Sequence, residues 1–151
     1  GIRRPRSTIA TAALLAALVL GSMLTACVQV NVKRATPPPP SSFVGTKWLL
    51  RSLAGSPTLQ GVEATLEFPE TGRIAGNGSC NRFGGAATIA GERLQTGAIA
   101  ATRMACEPAR MEQEHRYLAA LGAAERIAME GGQLVIHVRG LPQPLRFERR
   151  N

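Results

Sequence analysis

From Phe43 onward the hydrophobic and polar positions fall into short runs separated by turn residues, a pattern that predicts strands. Ala64-Thr65-Leu66-Glu67-Phe68 alternates strictly, which turns Ala64, Leu66 and Phe68 to one face. Lys47–Leu53 precedes it and carries the only tryptophan, Trp48. Pro69-Glu70-Thr71-Gly72 reads as a turn, and Arg73–Gly76 as the returning strand. Ala86–Ala90 and Arg93–Thr96 flank Gly91-Glu92, a two-residue hairpin with glycine first. Ala98–Arg103 leads on to Cys106. Further on, a second hairpin about Gly131-Gly132 joins Arg126–Glu130 to Gln133–Arg139, with Leu134, Ile136 and Val138 on one face. Leu145 and Phe147 belong to a last strand.

One segment has a helical period instead. Glu107-Pro108 opens it, since proline in a first turn loses no needed hydrogen bond and a glutamate suits the positive end of the helix dipole. Met111, His115, Leu118 and Leu121 recur on one side, which predicts that they face the core. Arg110 and Glu114, like Glu112 and Arg116, stand at the i,i+4 spacing of ion pairs, and Gly122 reads as the cap. The fold class expected is mainly β (α+β): an antiparallel meander or barrel-like sheet with one packed helix. The stretch of about 109 residues from 43 to 151 suffices for one core and not for two.

The beginning of the chain follows different rules. Arg3, Arg4 and Arg6 precede an apolar or small run, Ile9–Leu20, and then Leu24-Thr25-Ala26-Cys27. A positive end, an apolar middle and small residues before a cleavage point make a secretory signal over residues 1–26. The tetrapeptide resembles a bacterial lipobox, which would leave Cys27 as the lipid-bearing first residue of the mature protein. A transmembrane anchor or an ordinary signal peptide are the alternatives. Gly21 and Ser22 break the apolar run, and the residues after Arg3-Arg4 do not fit twin-arginine export. Acylation with more than one chain makes the membrane itself the first partner. Val28 after the cysteine favours the outer membrane, facing the periplasm, or the plasma membrane in a Gram-positive cell. Residues 27–42, with Pro37-Pro38-Pro39-Pro40, have no apolar periodicity and read as an extended tether, with a ligand for a proline-binding domain as the alternative.

Removing the signal changes the charge picture. The chain has 18 Lys and Arg against 10 Asp and Glu, and three of the arginines lie in the signal, so the mature charge is 15 − 10 = +5. The basic residues are scattered, as on a solvated surface, and the few aromatics do not interleave with a basic stripe, which excludes nucleic-acid binding.

The chemistry centres on Gly76-Asn77-Gly78-Ser79-Cys80-Asn81-Arg82-Phe83-Gly84-Gly85 and on Thr102-Arg103-Met104-Ala105-Cys106. Glycines at this density free the backbone for positive φ or for close approach, which a plain strand does not need. With Cys27 acylated, Cys80 and Cys106 are the two cysteines left in an oxidising compartment, and a disulfide is the first reading. Cys80 as a nucleophile with His115 or His137 as base, with glycine N–H groups as oxyanion donors, is the competing one. A metal site from Cys80, Cys106 and a histidine lacks a short-spaced chelating pair. No Lys-Ser or Lys-Thr follows the glycines, so this is not a phosphate loop, and Glu112 and Glu114 fall on different helix faces. Asn81 and Arg82 read as hydrogen-bonding the turn.

The pattern G-x-G-x-C-N-R-F-G, followed by A-x-T-R-M-A-C and a glutamate-bearing helix, resembles the META domain family of HslJ-like bacterial lipoproteins. Gly76, Gly78, Cys80, Asn81, Arg82, Phe83, Gly84, Arg103, Met104 and Cys106 carry the resemblance, which covers roughly residues 43 to 148. It implies a barrel-like sheet with one helix, no catalytic activity and no cofactor, and a role in envelope stress or antibiotic tolerance. A periplasmic ligand-binding or inhibitor module is the alternative; the ligand or protein partner is left open.

Overall fold

The computed structural model describes residues 42–151; the signal segment, Cys27 and most of the tether lie outside the described residues. Nine strands and one helix follow in the order β1 (Lys47–Leu53), β2 (Ser56–Pro57), β3 (Thr65–Glu67), β4 (Arg73–Asn77), β5 (Arg82–Ala90), β6 (Arg93–Ala101), α1 (Pro108–Gly122), β7 (Ala124–Glu130), β8 (Gln133–Val138) and β9 (Leu145–Arg150). Sequence neighbours pair antiparallel along the sheet, except that β3 pairs with β1 past the short β2. β9 returns to β1, with Leu50 opposite Phe147 and Trp48 opposite Arg149. That pairing closes β1 and β3 to β9 into an eight-stranded antiparallel barrel, with β2 a two-residue appendage on β1.

The turns follow the glycines. Gly91, Gly131 and Gly132 take positive φ, at 62°, 56° and 80°, the conformation these hairpins need. The ladder weakens at two places: β3 and β4 share a single bridge, Glu67 to Ala75, and β6 and β7 share another, Arg93 to Arg126, where α1 connects the two strands in sequence.

Alternation along the strands fills the interior as expected. Ala64, Leu66 and Phe68 are buried together with Leu134, Ile136, Val138, Leu145 and Phe147. Tyr117 from α1 is fully buried among them, edge-on to Phe83 at 5.8 Å and near Phe147 at 6.2 Å. Its hydroxyl donates to the Thr65 carbonyl at 3.0 Å, which satisfies the one polar atom this aromatic ring carries inward. Trp48 is likewise buried, its Nε1 donating to Thr46 Oγ1 at 2.7 Å, while the Arg149 guanidinium lies 5.3 Å from the ring centre.

The helix is rotated from the stripe its apolar residues suggest, and of Met111, His115, Leu118 and Leu121 only Leu121 is fully buried. The buried residues of α1 are Gln113, Glu114, Tyr117, Ala120 and Leu121. His115 is exposed, and Met111 and Leu118 are half-buried at the margin. Tyr117 is the bulkiest apolar group available, and turning it inward rotates Gln113 and Glu114 under it. Arg110 and Glu114 form no ion pair, because Glu114 points into the protein, and Glu112 and Arg116, both exposed, form none either. The helix runs through Gly122, and Ala123 takes the cap position instead of the glycine.

Candidate functional site

The glycine-cysteine stretch is a tight connection between two strands. Gly76 and Asn77 end β4, Arg82 to Gly85 begin β5, and Gly78 to Cys80 with Asn81 form the turn, closed by the Gly78 N–H donating to the Asn81 carbonyl at 2.8 Å. Strand structure therefore extends into the glycines at both ends, through Gly76 as the sequence predicts and also from Arg82 onward. Their purpose is close approach. A Cβ on Gly76 would clash with the Thr65 carbonyl oxygen, and one on Gly85 would stand 2.8 Å from the Ala98 carbonyl oxygen. The positive φ in the turn belongs to Ser79, at 131°, and is held from both sides. Its N–H donates to Asn77 Oδ1 at 2.9 Å, and its hydroxyl accepts from Gln113 Nε2 at 2.8 Å.

Cys80 is joined to Cys106 by a disulfide with the two Cα atoms 6.0 Å apart. The bridge ties the turn to the residue before Glu107, the N-cap of α1. Around it lies a dense polar cluster. Glu114 Oε2 accepts the backbone N–H groups of Cys80 at 2.9 Å and Asn81 at 2.6 Å. Glu114 Oε1 accepts from Asn81 Nδ2 at 2.7 Å. Two successive N–H groups converging on one carboxylate oxygen form an anion-holding concavity, and the hydrogen bonds are charge-assisted. Glu114 is only 5% exposed. Its charge is met by N–H dipoles, and no ion pair to a basic side chain forms among the described residues. Gly78 makes room for it: a Cβ there would stand 2.7 Å from Glu114 Oε2.

Asn81 uses its whole side-chain amide. Besides the bond to Glu114, Nδ2 donates to the Met104 carbonyl at 3.2 Å, and Oδ1 accepts from Met104 N–H at 2.6 Å and Thr102 Oγ1 at 3.0 Å. The Arg82 N–H donates to Thr102 Oγ1 at 3.2 Å, but the Arg82 side chain is exposed. Met104 and Arg103 also point outward, so Met104 serves this cluster through its backbone. Phe83 enters the core against Tyr117. Gly84 has nearly open space at its missing Cβ, with the nearest atom 3.7 Å away.

The structure thus brings Gly76, Gly78, Cys80, Asn81, Phe83, Met104 and Cys106 together and leaves the side chains of Arg82 and Arg103 outside. Sequence reasoning gave no role in this cluster to Glu114, Gln113 and Thr65, or to Ser79 and Thr102 within the two motif stretches. Gln113 Oε1 also accepts the Leu59 N–H at 2.8 Å, linking the β2–β3 loop to the turn. His115 and His137 make no hydrogen bond to Cys80 or Asn81; His137 sits on β8, where burial and then Arg126 lower its pKa against the opposing pull of Glu130. Among the described residues no group of three His, Cys, Asp or Glu side chains is placed to hold a metal, and no helix is long and apolar enough to cross a membrane.

Comparison with known proteins agrees with this geometry. A search of the curated proteins finds no match. An NMR structure of a protein from Burkholderia xenovorans is 25% identical, covering 78% of this chain and 94% of that one at a TM-score of 0.60. A second NMR structure, 24% identical over 74% of this chain and 94% of its own, superposes with the same TM-score of 0.60 and so shares the fold. The family model of the META domain matches residues 41–150, and the chain belongs to the META domain family.

Proposed function

We propose that this protein is a lipid-anchored, non-catalytic module of the bacterial envelope that supports tolerance of envelope stress or of antibiotics. Cys27 carries the lipid, residues 28–42 hold the barrel away from the membrane, and the domain faces the periplasm from the outer membrane. The observation that carries the non-catalytic reading is the use of the motif's polar groups. Asn81, Glu114, Gln113 and Ser79 bond to one another and to nearby backbone, and Cys80 is bridged to Cys106. Side chains so engaged give rigidity, while a reacting centre needs a free nucleophile or base within reach of substrate. The filled interior around Tyr117, Phe83 and Phe147 supports the same reading, since it leaves binding to the outer surface.

Metabolic labelling with a radioactive fatty acid tests the anchor. Label is expected on the wild-type chain in the membrane fraction and is expected to vanish in Cys27→Ser. An unlabelled wild type, or a labelled Cys27→Ser, would overturn it. Loss of the protein should then lower survival under envelope stress, and Cys27→Ser should not restore it.

A further inference from the structure

A groove of about 380 Å³ runs between the outer side of α1 and the adjoining edge of the barrel. Its floor is apolar: Leu53, Ala120 and Val138 are buried beneath it, and Ala119 and Ala123 leave room where larger side chains would fill it. Leu141 stands at its margin with 41% of its surface exposed, one of few large apolar side chains left in water among the described residues. The wall opposite the helix is the β1–β2 turn, where Ala54 and Gly55 take φ of 51° and 86° and Gly55 packs on Gln143. The volume lies at the small end of ligand sites, which run from about 300 to 1,000 Å³.

The ionisable lining is of one sign. His115, Arg116 and Arg139 face the groove and no carboxylate does. Arg116 forms no ion pair among the described residues, and Arg139 bonds Glu125 through Nε at 3.0 Å, which leaves its two terminal nitrogens without such a bond. The chain's acids are all glutamates beyond residue 62, so residues 1–41 cannot bring a carboxylate side chain to this place. Seven glutamates are paired with Lys47, Arg51, Arg73, Arg126, Arg139, Arg146 and Arg150, and an eighth, Glu114, is buried in the motif.

We infer that this groove binds a small amphipathic carboxylate, its head between Arg116 and Arg139 and its aliphatic body over Leu53, Ala120 and Val138. Arginine forks match a carboxylate with two parallel bonds, and the alanine-lined floor accepts methylenes without polar partners. An alkylammonium of the same length meets like charge and is rejected. The inference is independent of whether Cys27 is acylated.

The test is a titration of the full chain, isotope-labelled and followed by amide NMR, with acetate, hexanoate, octanoate and octylammonium. Octanoate is expected to give saturable shifts confined to Ala119, Ala120, Ala123, Val138 and Leu141. Hexanoate should bind more weakly, by about twofold to fourfold per methylene removed. Acetate and octylammonium should not saturate. The double variant R116E/R139E changes two exposed side chains but breaks the Arg139–Glu125 pair, so its spectrum should match the wild type except near Arg116, Glu125 and Arg139, with octanoate affinity reduced at least tenfold. Ala119→Leu, which fills the groove without a charge change, should weaken octanoate similarly. Shifts that do not saturate, that spread over the barrel, that octylammonium reproduces, or that survive R116E/R139E would overturn the assignment.

Discussion

Glu114 reaches from the first half of α1 to hold the N–H groups of Cys80 and Asn81 and the side-chain amide of Asn81, at 2.9, 2.6 and 2.7 Å. One carboxylate thus fixes the turn between β4 and β5 from beneath, while Asn81 passes that restraint on to Met104 and Thr102. Glu114→Gln replaces an acceptor oxygen with an amide that meets donors. It should cost about 2–4 kcal/mol, because a charge-assisted bond is lost and a buried N–H is left unpaired. Glu112→Gln, two residues away and exposed, should change stability by less than about 0.5 kcal/mol. Urea unfolding of the two variants checks the difference.

The disulfide and this hydrogen-bonded cluster restrain the same segments independently. Removing the bridge across 26 residues with Cys80→Ala/Cys106→Ala should cost about 3.5 kcal/mol in the chain-entropy model. The barrel should nonetheless persist, since Asn81 still joins Met104 to the turn. Amide NMR of the double variant should show native dispersion with shifts limited to residues near 80 and 106.

Two glycines of one motif should respond differently. Gly76→Ala drives a methyl group into the Thr65 carbonyl oxygen, backbone that cannot swing aside, so a loss of about 3 kcal/mol or more is expected. Gly84→Ala meets its nearest atom at 3.7 Å and gains strand propensity, so it should be neutral or stabilising by up to about 1 kcal/mol. Thermal unfolding of both variants separates them.

These contrasts show which parts of the sequence were legible. Alternation identified β3 and β8, and the glycines of Gly91-Glu92 and Gly131-Gly132 identified the hairpin turns, because strand period and turn chemistry are local properties. The helix was found but its orientation was not. The expected stripe through Met111, His115, Leu118 and Leu121 and the observed one through Glu114, Tyr117 and Leu121 share only Leu121, and only tertiary packing of Tyr117 chooses between them. Glu114 was missed for that reason: a glutamate reads as a surface residue until its donors, 33 and 34 residues earlier in the chain, are in place. The closure of β9 onto β1 is similarly non-local.

His137 supplies a pH dependence. Its folded pKa is lowered from 6.5, first by burial and then by Arg126. The unfolded chain therefore binds the proton more readily, so this contribution to stability is full above 6.5 and is lost as pH falls through that value toward the lower folded one. Denaturant unfolding between about pH 8 and 5 should show a declining stability that His137→Gln flattens. An unchanged slope in the variant would assign the dependence to other groups.

The account turns on whether the cysteines of the motif are structural. The direct measurement is mass spectrometry of the chain isolated from its own envelope after alkylation without reduction. A peptide pair linked through Cys80 and Cys106, with neither residue alkylated, is the predicted result. Two alkylated cysteines at these positions would contradict it and return Cys80 to consideration as a reactive thiol.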